Sequence, residues 1–248
     1  MNSVITLKLI FFFLFLISFA ATFASESQDS SKNKLSAAAS VSINSNGIAS
    51  IPAFSLGKPA IMATINLNKG RFSYDPVLAY STDMKPWYFD SWLHYRIIRR
   101  PKFELRTGFN FSNFFSHVTL NGQDMIKGER YWAGELAGFL KTSSGNIVSL
   151  MYWSDNGMDP GSIRGHYLTL EDNLSNISIG KRFLFGAGLQ LFLISYYGNN
   201  DGVFVSPKFS VGMGEIPLSV FFQATQEIVS NIVPHPGFKW NAGLNYSF

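Results

Sequence analysis

The chain has 248 residues, of which 46% are hydrophobic and 16% aromatic while only 15% are charged, against roughly a quarter charged in an ordinary soluble domain. The apolar content is not gathered into helices, because after residue 24 no uninterrupted apolar run approaches the roughly 20 residues a spanning helix needs. The net charge of +4 is dispersed, with no basic run longer than Arg99-Arg100 or Lys181-Arg182, so nucleic acid is not an expected partner. The absence of cysteine excludes disulfide frameworks, thiolate metal sites and a lipid-modified N-terminal cysteine.

Lys8 precedes the apolar stretch Leu9 to Phe19, and Thr22-Phe23-Ala24 offers small residues at the two positions a signal peptidase reads. Residues 1–24 are therefore expected to be a secretory signal peptide, and the polar, aperiodic residues 25–35 a flexible lead-in. From residue 36 onward the pattern alternates with period two. Phe103, Leu105, Thr107, Phe109 and Phe111 oppose Glu104, Arg106, Gly108 and Asn110, and Leu218, Val220, Phe222 and Ala224 oppose Ser219, Phe221, Gln223 and Thr225. In a strand these sets point to opposite faces. The pattern predicts strands at 37–46, 59–68, 71–82, 87–97, 103–113, 129–141, 147–154, 163–172, 183–197, 203–213, 217–227 and 238–248. Residues 173–182 fit either a long turn or a further short strand. Short turns such as Asn68-Lys69-Gly70 and Gly214-Glu215-Ile216 alternate with candidate outer loops at 47–58, 83–86, 114–128, 155–162, 198–202 and 228–237. An even strand count puts both termini on one side together with most of the short turns, as on the periplasmic face of membrane barrels.

Lipid cannot hydrogen-bond an open sheet edge, so the expected fold is all-β, a transmembrane antiparallel up-and-down β-barrel of about twelve strands over residues 36–248. Phe72, Trp87, Tyr95, Phe238, Tyr246 and Phe248 fall near strand ends in the outward phase, where interfacial girdles form; the opposite phase reads as small or polar. The last segment, with Phe238, Trp240, Leu244, Tyr246 and terminal Phe248 alternating, resembles the final strand that outer-membrane barrels of Gram-negative cells present to the barrel-assembly machinery. Asn44-Ser45-Asn46-Gly47, followed by Pro52-Ala53-Phe54-Ser55-Leu56-Gly57-Lys58-Pro59, is similar to uncharacterised outer-membrane proteins of the Bacteroidota. These resemblances imply outer-membrane lipid and the assembly machinery as partners, and no catalytic motif.

The inward phase places Arg71, Asp75, Asp90, His94, Arg96, Glu104, Arg106, Glu135, Lys141, Lys208 and Lys239 in the lumen. A tight turn near 98–102 would set Arg96 nearly opposite Glu104 as an ion pair, with Asp90 and Asn110 higher on the same strands. Mixed signs favour a cross-linked polar interior over a selective filter, and about twelve strands enclose less space than the 16 to 18 of open porins. The expected role is non-enzymatic, structural or interaction-based, as a subunit of a larger outer-membrane assembly with another outer-membrane protein or lipoprotein. The alternative is a narrow channel for small anions, argued from Arg71, Arg96, Arg106 and Lys141 toward the turn side. A more remote one, lipid hydrolysis, rests on His117-Val118-Thr119 with Asn121-Gly122, which departs from the His-x-Ser-Asn-Gly arrangement of outer-membrane phospholipases because Thr119 stands for the nucleophile and Leu120 intervenes. His94, His166 and His235 lack metal-ligand spacing, so neither metal nor cofactor is expected. The loops 47–58 and 155–162, with Ile51, Phe54 and Met158, are the expected contact surfaces for a partner. Asp155-Asn156-Gly157 and Asp159 offer oxygen ligands without a calcium-loop spacing.

Overall fold

A computed structural model of the protein describes residues 34–120, 122–180, 182–196 and 200–248, so the expected signal peptide and residues 25–33 of the lead-in lie outside the described residues. Leu35–Phe248 is one compact unit. It contains twelve strands: β1 (Ser36–Asn44), β2 (Ala60–Lys69), β3 (Phe72–Ser81), β4 (Pro86–Arg99), β5 (Phe103–Leu120), β6 (Gln123–Lys141), β7 (Ile147–Gly157), β8 (Gly165–Ile179), β9 (Phe183–Tyr196), β10 (Asn200–Met213), β11 (Ile216–Ser230) and β12 (Lys239–Ser247). Each pairs antiparallel with its sequence neighbours, and β12 pairs back onto β1. The seam runs from Ser40 opposite Ser247 to Asn44 opposite Gly243, and the Phe248 amide donates to the Ala39 carbonyl at 2.8 Å. The sheet is an all-β closed barrel with no free edge, the form of sheet that can stand in lipid.

Alternation decides the two faces. Val41, Ile43, Leu93, Phe109, Leu191, Leu193, Val211 and Phe222 are exposed on the outside, while Asn44, Ser73, His94, Asn110, Glu135 and Thr169 are buried on the inside. Such an outward face is expensive in water and matched to hydrocarbon. Phe72 and Tyr95, 5.0 Å apart between ring centroids, and Tyr246 and Phe248, 4.9 Å apart, cluster at the end that carries Ser36, Phe248 and the short turns, called here the turn side. The opposite end is the loop side.

Three expectations are corrected. Residues 114–128 are not a loop: β5 and β6 stay in register from Phe103–Leu140 to Leu120–Gln123, whereas the neighbouring pairs stop at Phe114 with Tyr88 and Tyr131 with Gly157. The hairpin therefore continues as a two-stranded ribbon past the rim, where no lipid demands apolar alternation, so the sequence signal fades although the ladder does not. Residues 173–179 extend β8 across a register shift between Leu174 and Ile177, with Gly180 at φ 65° opening the turn into β9. Trp87 does not join an outer girdle. A bulge between Ala79 and Tyr80 shifts the phase, and Trp87 is buried against Tyr88, Ala60 and Ala79.

The outward belt yields a direct expectation. Leu191 lies opposite Leu170 and Val205 on the outer face, so Leu191→Arg should cost about 2–4 kcal/mol. Urea unfolding in lipid vesicles measures it.

Candidate functional site

The β1–β2 connection, residues 45–59, is the decisive departure from expectation. It was expected to reach outward to a partner; instead it folds into the barrel mouth. Ile48 bridges Ser55, the Ala49 amide donates to the Phe54 carbonyl at 2.9 Å and the Phe54 amide to the Ile51 carbonyl at 2.9 Å, which makes a small hairpin turning at Ile51–Phe54. Its root is held by Asn241, itself 1% exposed. The Asn241 side-chain oxygen accepts from the Asn46 amide at 3.1 Å and the Ser45 hydroxyl at 3.3 Å, and its NH2 donates to Asn44 Oδ1 at 3.0 Å. Gly47 makes the inward bend at φ 53°, and a Cβ there would lie 2.9 Å from the Ala60 Cβ. Only glycine tolerates both the backbone and the space.

The tip is apolar, and so is the wall that receives it. Ile51 and Ala53 pack on Tyr167, Phe192, Ile194 and Phe204, with Phe54, Trp153 and Tyr196 at the margin; Phe192 and Phe204 are direct cross-strand partners with stacked rings 5.0 Å apart. Burying a side chain such as Ile51 is worth about 1.5–3 kcal/mol. The inward phase is thus apolar on the β8–β10 wall that receives the tip, while Asp90, Asn110 and Ser112 keep it polar on the facing β4–β5 wall. Where both faces are apolar, as along Leu191 to Ile194, alternation carries no information about which side is which.

Below the hairpin, strands β3 to β6 build one connected polar network. Asp75 holds His94 Nδ1 at 2.6 Å, His94 Nε2 faces Glu135 at 3.4 Å, and Arg106 Nε meets Glu135 at 2.9 Å. Ser73 and Asn66 also donate to Asp75. The His94 ring is clamped by Trp92, stacked at 5.3 Å and 4°. It also needs Gly108 beneath it, since a Cβ there would come within 2.5 Å of His94 Cδ2. Nearer the turn side Arg96 and Glu104 are 3.2 Å apart. They are not opposite residues: a bulge between Arg96 and Ile98 sets Arg96 opposite Arg106, and the pair forms diagonally. Higher up, Asn110 donates to buried Asp90 at 3.4 Å, and the Tyr88 hydroxyl beside them is buried without a partner among the described residues.

The other expected lumenal residues scatter. Arg71 lies at the turn-side rim and donates to the carbonyls of Arg96 and Ile97. Lys141 is exposed at the end of β6, and Lys239 lines the loop-side cavity. Lys208 points into the lumen across from the His94 network. Of the terminal-strand residues, Trp240, Leu244, Tyr246 and Phe248 are exposed, and Phe238 precedes β12 and is 61% exposed. Thr119 donates its hydroxyl to Asp124 at 3.0 Å on the ribbon, and His117 lies opposite Ile126. Asp155 and Asp159 take different partners: Asp155 accepts from the Gly165 amide at 2.7 Å and the Tyr167 hydroxyl at 3.0 Å, while Asp159 takes Arg130 at 2.6 Å. Among the described residues, no group of three His, Cys, Asp or Glu is placed to hold a metal ion. Sequence reasoning missed Glu171 and Gln190 on the lumen wall, where Gln223 stands in the phase read for it; the phase shared by Tyr167, Thr169 and Glu171 carries the signal for the first of these.

The hairpin divides the lumen into three successive cavities. A turn-side chamber of about 630 Å³ reaches from Ser40 and His94 to Ser50 and Pro52. A neck of about 60 Å³ runs between Ser50, Ile51 and Phe54 on one side and Asp90, Asn110 and Tyr167 on the other. A loop-side vestibule of about 650 Å³ follows above Phe54. The first two share Ser50, Trp92 and Trp153, and the last two share Phe54, Asp155 and Tyr167, so they line up along the barrel.

No protein-family model matches the chain, and no curated protein matches it in sequence. Solved structures do match in fold. The KdgM porin in complex with disordered oligogalacturonate superposes with a TM-score of 0.54 at 12% identity, over 85% of this chain and 99% of that one. The KdgM porin alone gives 0.54 at 11%, with the same coverage of 85% and 99%. An outer-membrane channel from Pseudomonas putida F1 gives 0.52 at 10%, over 90% and 99%. At these identities the likeness is one of fold. Together with the apolar outer belt, it shows that this chain has the fold of a membrane-spanning β-barrel.

Two expectations follow from the geometry. Glu135→Ala strands both His94 and Arg106 and should cost about 3–5 kcal/mol, whereas Arg96→Ala, in a partly solvated pair, should cost about 1 kcal/mol or less; urea denaturation of both variants separates the cases. Outside the membrane, the Arg130 hydrogen bonds hold the Asp159 carboxyl below the usual aspartate range. A depressed pKa stabilises the folded loop above the unfolded pKa and loses that contribution as pH falls through the folded one. Hydrogen exchange at 158–164 should therefore stay slow at pH 5–7 and rise below about pH 4, and in Asp159→Asn it should be fast throughout.

Proposed function

We propose that the protein is a non-enzymatic, narrow passive channel for small polar solutes in the outer membrane, constricted by its own β1–β2 hairpin. The observation that carries this reading is the line of three cavities, of which the middle one, where Ser50, Ile51 and Phe54 face Asp90 and Tyr167, is about a tenth the volume of those on either side. The fold likeness to porins and to an outer-membrane channel supports it. On this reading the hairpin sets the size limit, and the buried network around His94 keeps the wall from collapsing. A ring of free basic side chains is not what the turn side offers, because Arg96 and Arg106 each hold a carboxylate. Selectivity among solutes must arise elsewhere in the lumen.

A second reading, as a subunit of a larger outer-membrane assembly, is favoured by the β5–β6 ribbon, where Val118, Leu120, Met125 and Ile126 are exposed beyond the rim. The ribbon would be the contact with another outer-membrane protein or a lipoprotein. The terminal strand from Phe238 to Phe248 would be what the barrel-assembly machinery reads, and the Asn44–Pro59 stretch, which is the constricting hairpin, would be what the chain shares with outer-membrane proteins of the Bacteroidota.

Planar-bilayer recording tests the channel. Wild type should give small, discrete conductance steps, and replacing residues 48–55 by three glycines should raise the step size severalfold with unchanged heat-modifiable gel mobility. Silent bilayers from both proteins would overturn the reading.

A further inference from the structure

The turn-side chamber has two unlike walls. On the β3–β6 wall the charged groups are paired through Asp75, His94, Glu135 and Arg106, although His94 Nε2 approaches Glu135 without a hydrogen bond. On the opposite wall Lys208 stands apart. It is exposed to the lumen and enters none of the ion pairs among the described residues. Its ammonium is positioned rather than loose, with Nζ 5.0 Å from the centroid of the buried Phe221 ring, a contact that orients a cation without neutralising it. Its cross-strand partner on β9 is Gly188, over which the Asn173 side-chain oxygen lies. Its partner on β11 is Gln223, an amide lining the same chamber.

From this arrangement we propose that Lys208, flanked by the amides of Gln190 and Gln223, is a binding subsite for the carboxylate of a small hydroxylated monocarboxylate passing through the lumen. The inference rests on the channel reading and supplies its substrate class. A carboxylate meeting an ammonium that enters no ion pair among the described residues makes a charge-assisted hydrogen bond, and the Gln190 amide, without a hydrogen bond among the described residues, offers both donors and an acceptor to neighbouring hydroxyls. Glu171 lines the same chamber and is the carboxylate whose charge acts on Lys208 without forming an ion pair with it, while it accepts from Asn173 at 2.7 Å; with Asp75 and Glu135 across the lumen, it disfavours solutes of higher negative charge. Among the described residues that line this chamber, Lys208 is thus the cation outside the ion pairs, and it selects a single carboxylate on a polar body. A volume of about 630 Å³ falls in the usual range for small-molecule sites.

The test uses the full barrel in detergent and two solutes of nearly equal size, sodium glucuronate and glucose, which differ in the carboxylate. Saturation-transfer NMR should show glucuronate bound to wild type and to Lys208→Arg, at least tenfold weaker binding to Lys208→Gln, intermediate binding to Gln190→Leu, and no comparable binding of glucose. Binding to wild type should weaken with added salt. Heat-modifiable mobility verifies that each variant is folded. Absence of glucuronate binding to wild type, equal binding to Lys208→Gln, or equal binding of glucose would each overturn the subsite. Lysine-dependent binding by a barrel that stays silent in bilayers would uphold the subsite while removing the channel reading, so the two fail separately.

Discussion

A β-sheet in hydrocarbon has to satisfy every backbone N–H and C=O internally, and the rest of this protein depends on how that demand is met. The short seam between β1 and β12 closes the sheet, and closure turns a two-faced ribbon into an outside and an inside. Every side chain then belongs to lipid or to lumen according to its phase. The seam also positions the interior, because the same Asn44 and Asn241 that stand at its loop-side end hold the root of the inward hairpin.

That hairpin makes the barrel more than a shell. Its tip brings Ile51, Pro52 and Ala53 into the mouth of the lumen, where Phe192, Ile194 and Phe204 supply an apolar wall. Where the hairpin tip meets that wall the interior is packed in the manner of a soluble core, and hollow space lies on either side of it. The division follows from the rule that an apolar tip needs apolar neighbours while charged groups need partners or water. The narrowest place falls where the two regimes meet, beside Asp90 and Tyr167.

Within the turn-side chamber, charge is distributed by pairing. Glu135 faces both Arg106 and His94, Asp75 holds the other side of the imidazole, and Gly108 leaves space for the ring. Groups linked in this way support one another and the wall that carries them, but offer little to a passing solute. Lys208, with a glycine on one neighbouring strand and an amide on the other, keeps its charge available to the lumen.

The sequence by itself determined the closed sheet, its strand count and the side on which the ends lie. Those features rest on local regularities: alternation with period two, turn residues at Gly70 and Gly214, and the lipid's demand for closure. It also indicated most of the polar inward residues between Asp75 and Glu135, because there the outward phase is plainly apolar and the two faces separate. Only the tertiary structure decided what those residues do. The ion pair of Arg96 with Glu104 is diagonal because a bulge moves the register, and Trp87 turns inward for the same kind of reason. The direction of residues 45–59 depends on whether an apolar surface exists to receive them, and that surface is assembled from β8, β9 and β10, more than 100 residues further along the chain. Partnership across a barrel is a property of strands far apart in sequence, and no local pattern encodes which charged groups of the lumen meet as ion pairs.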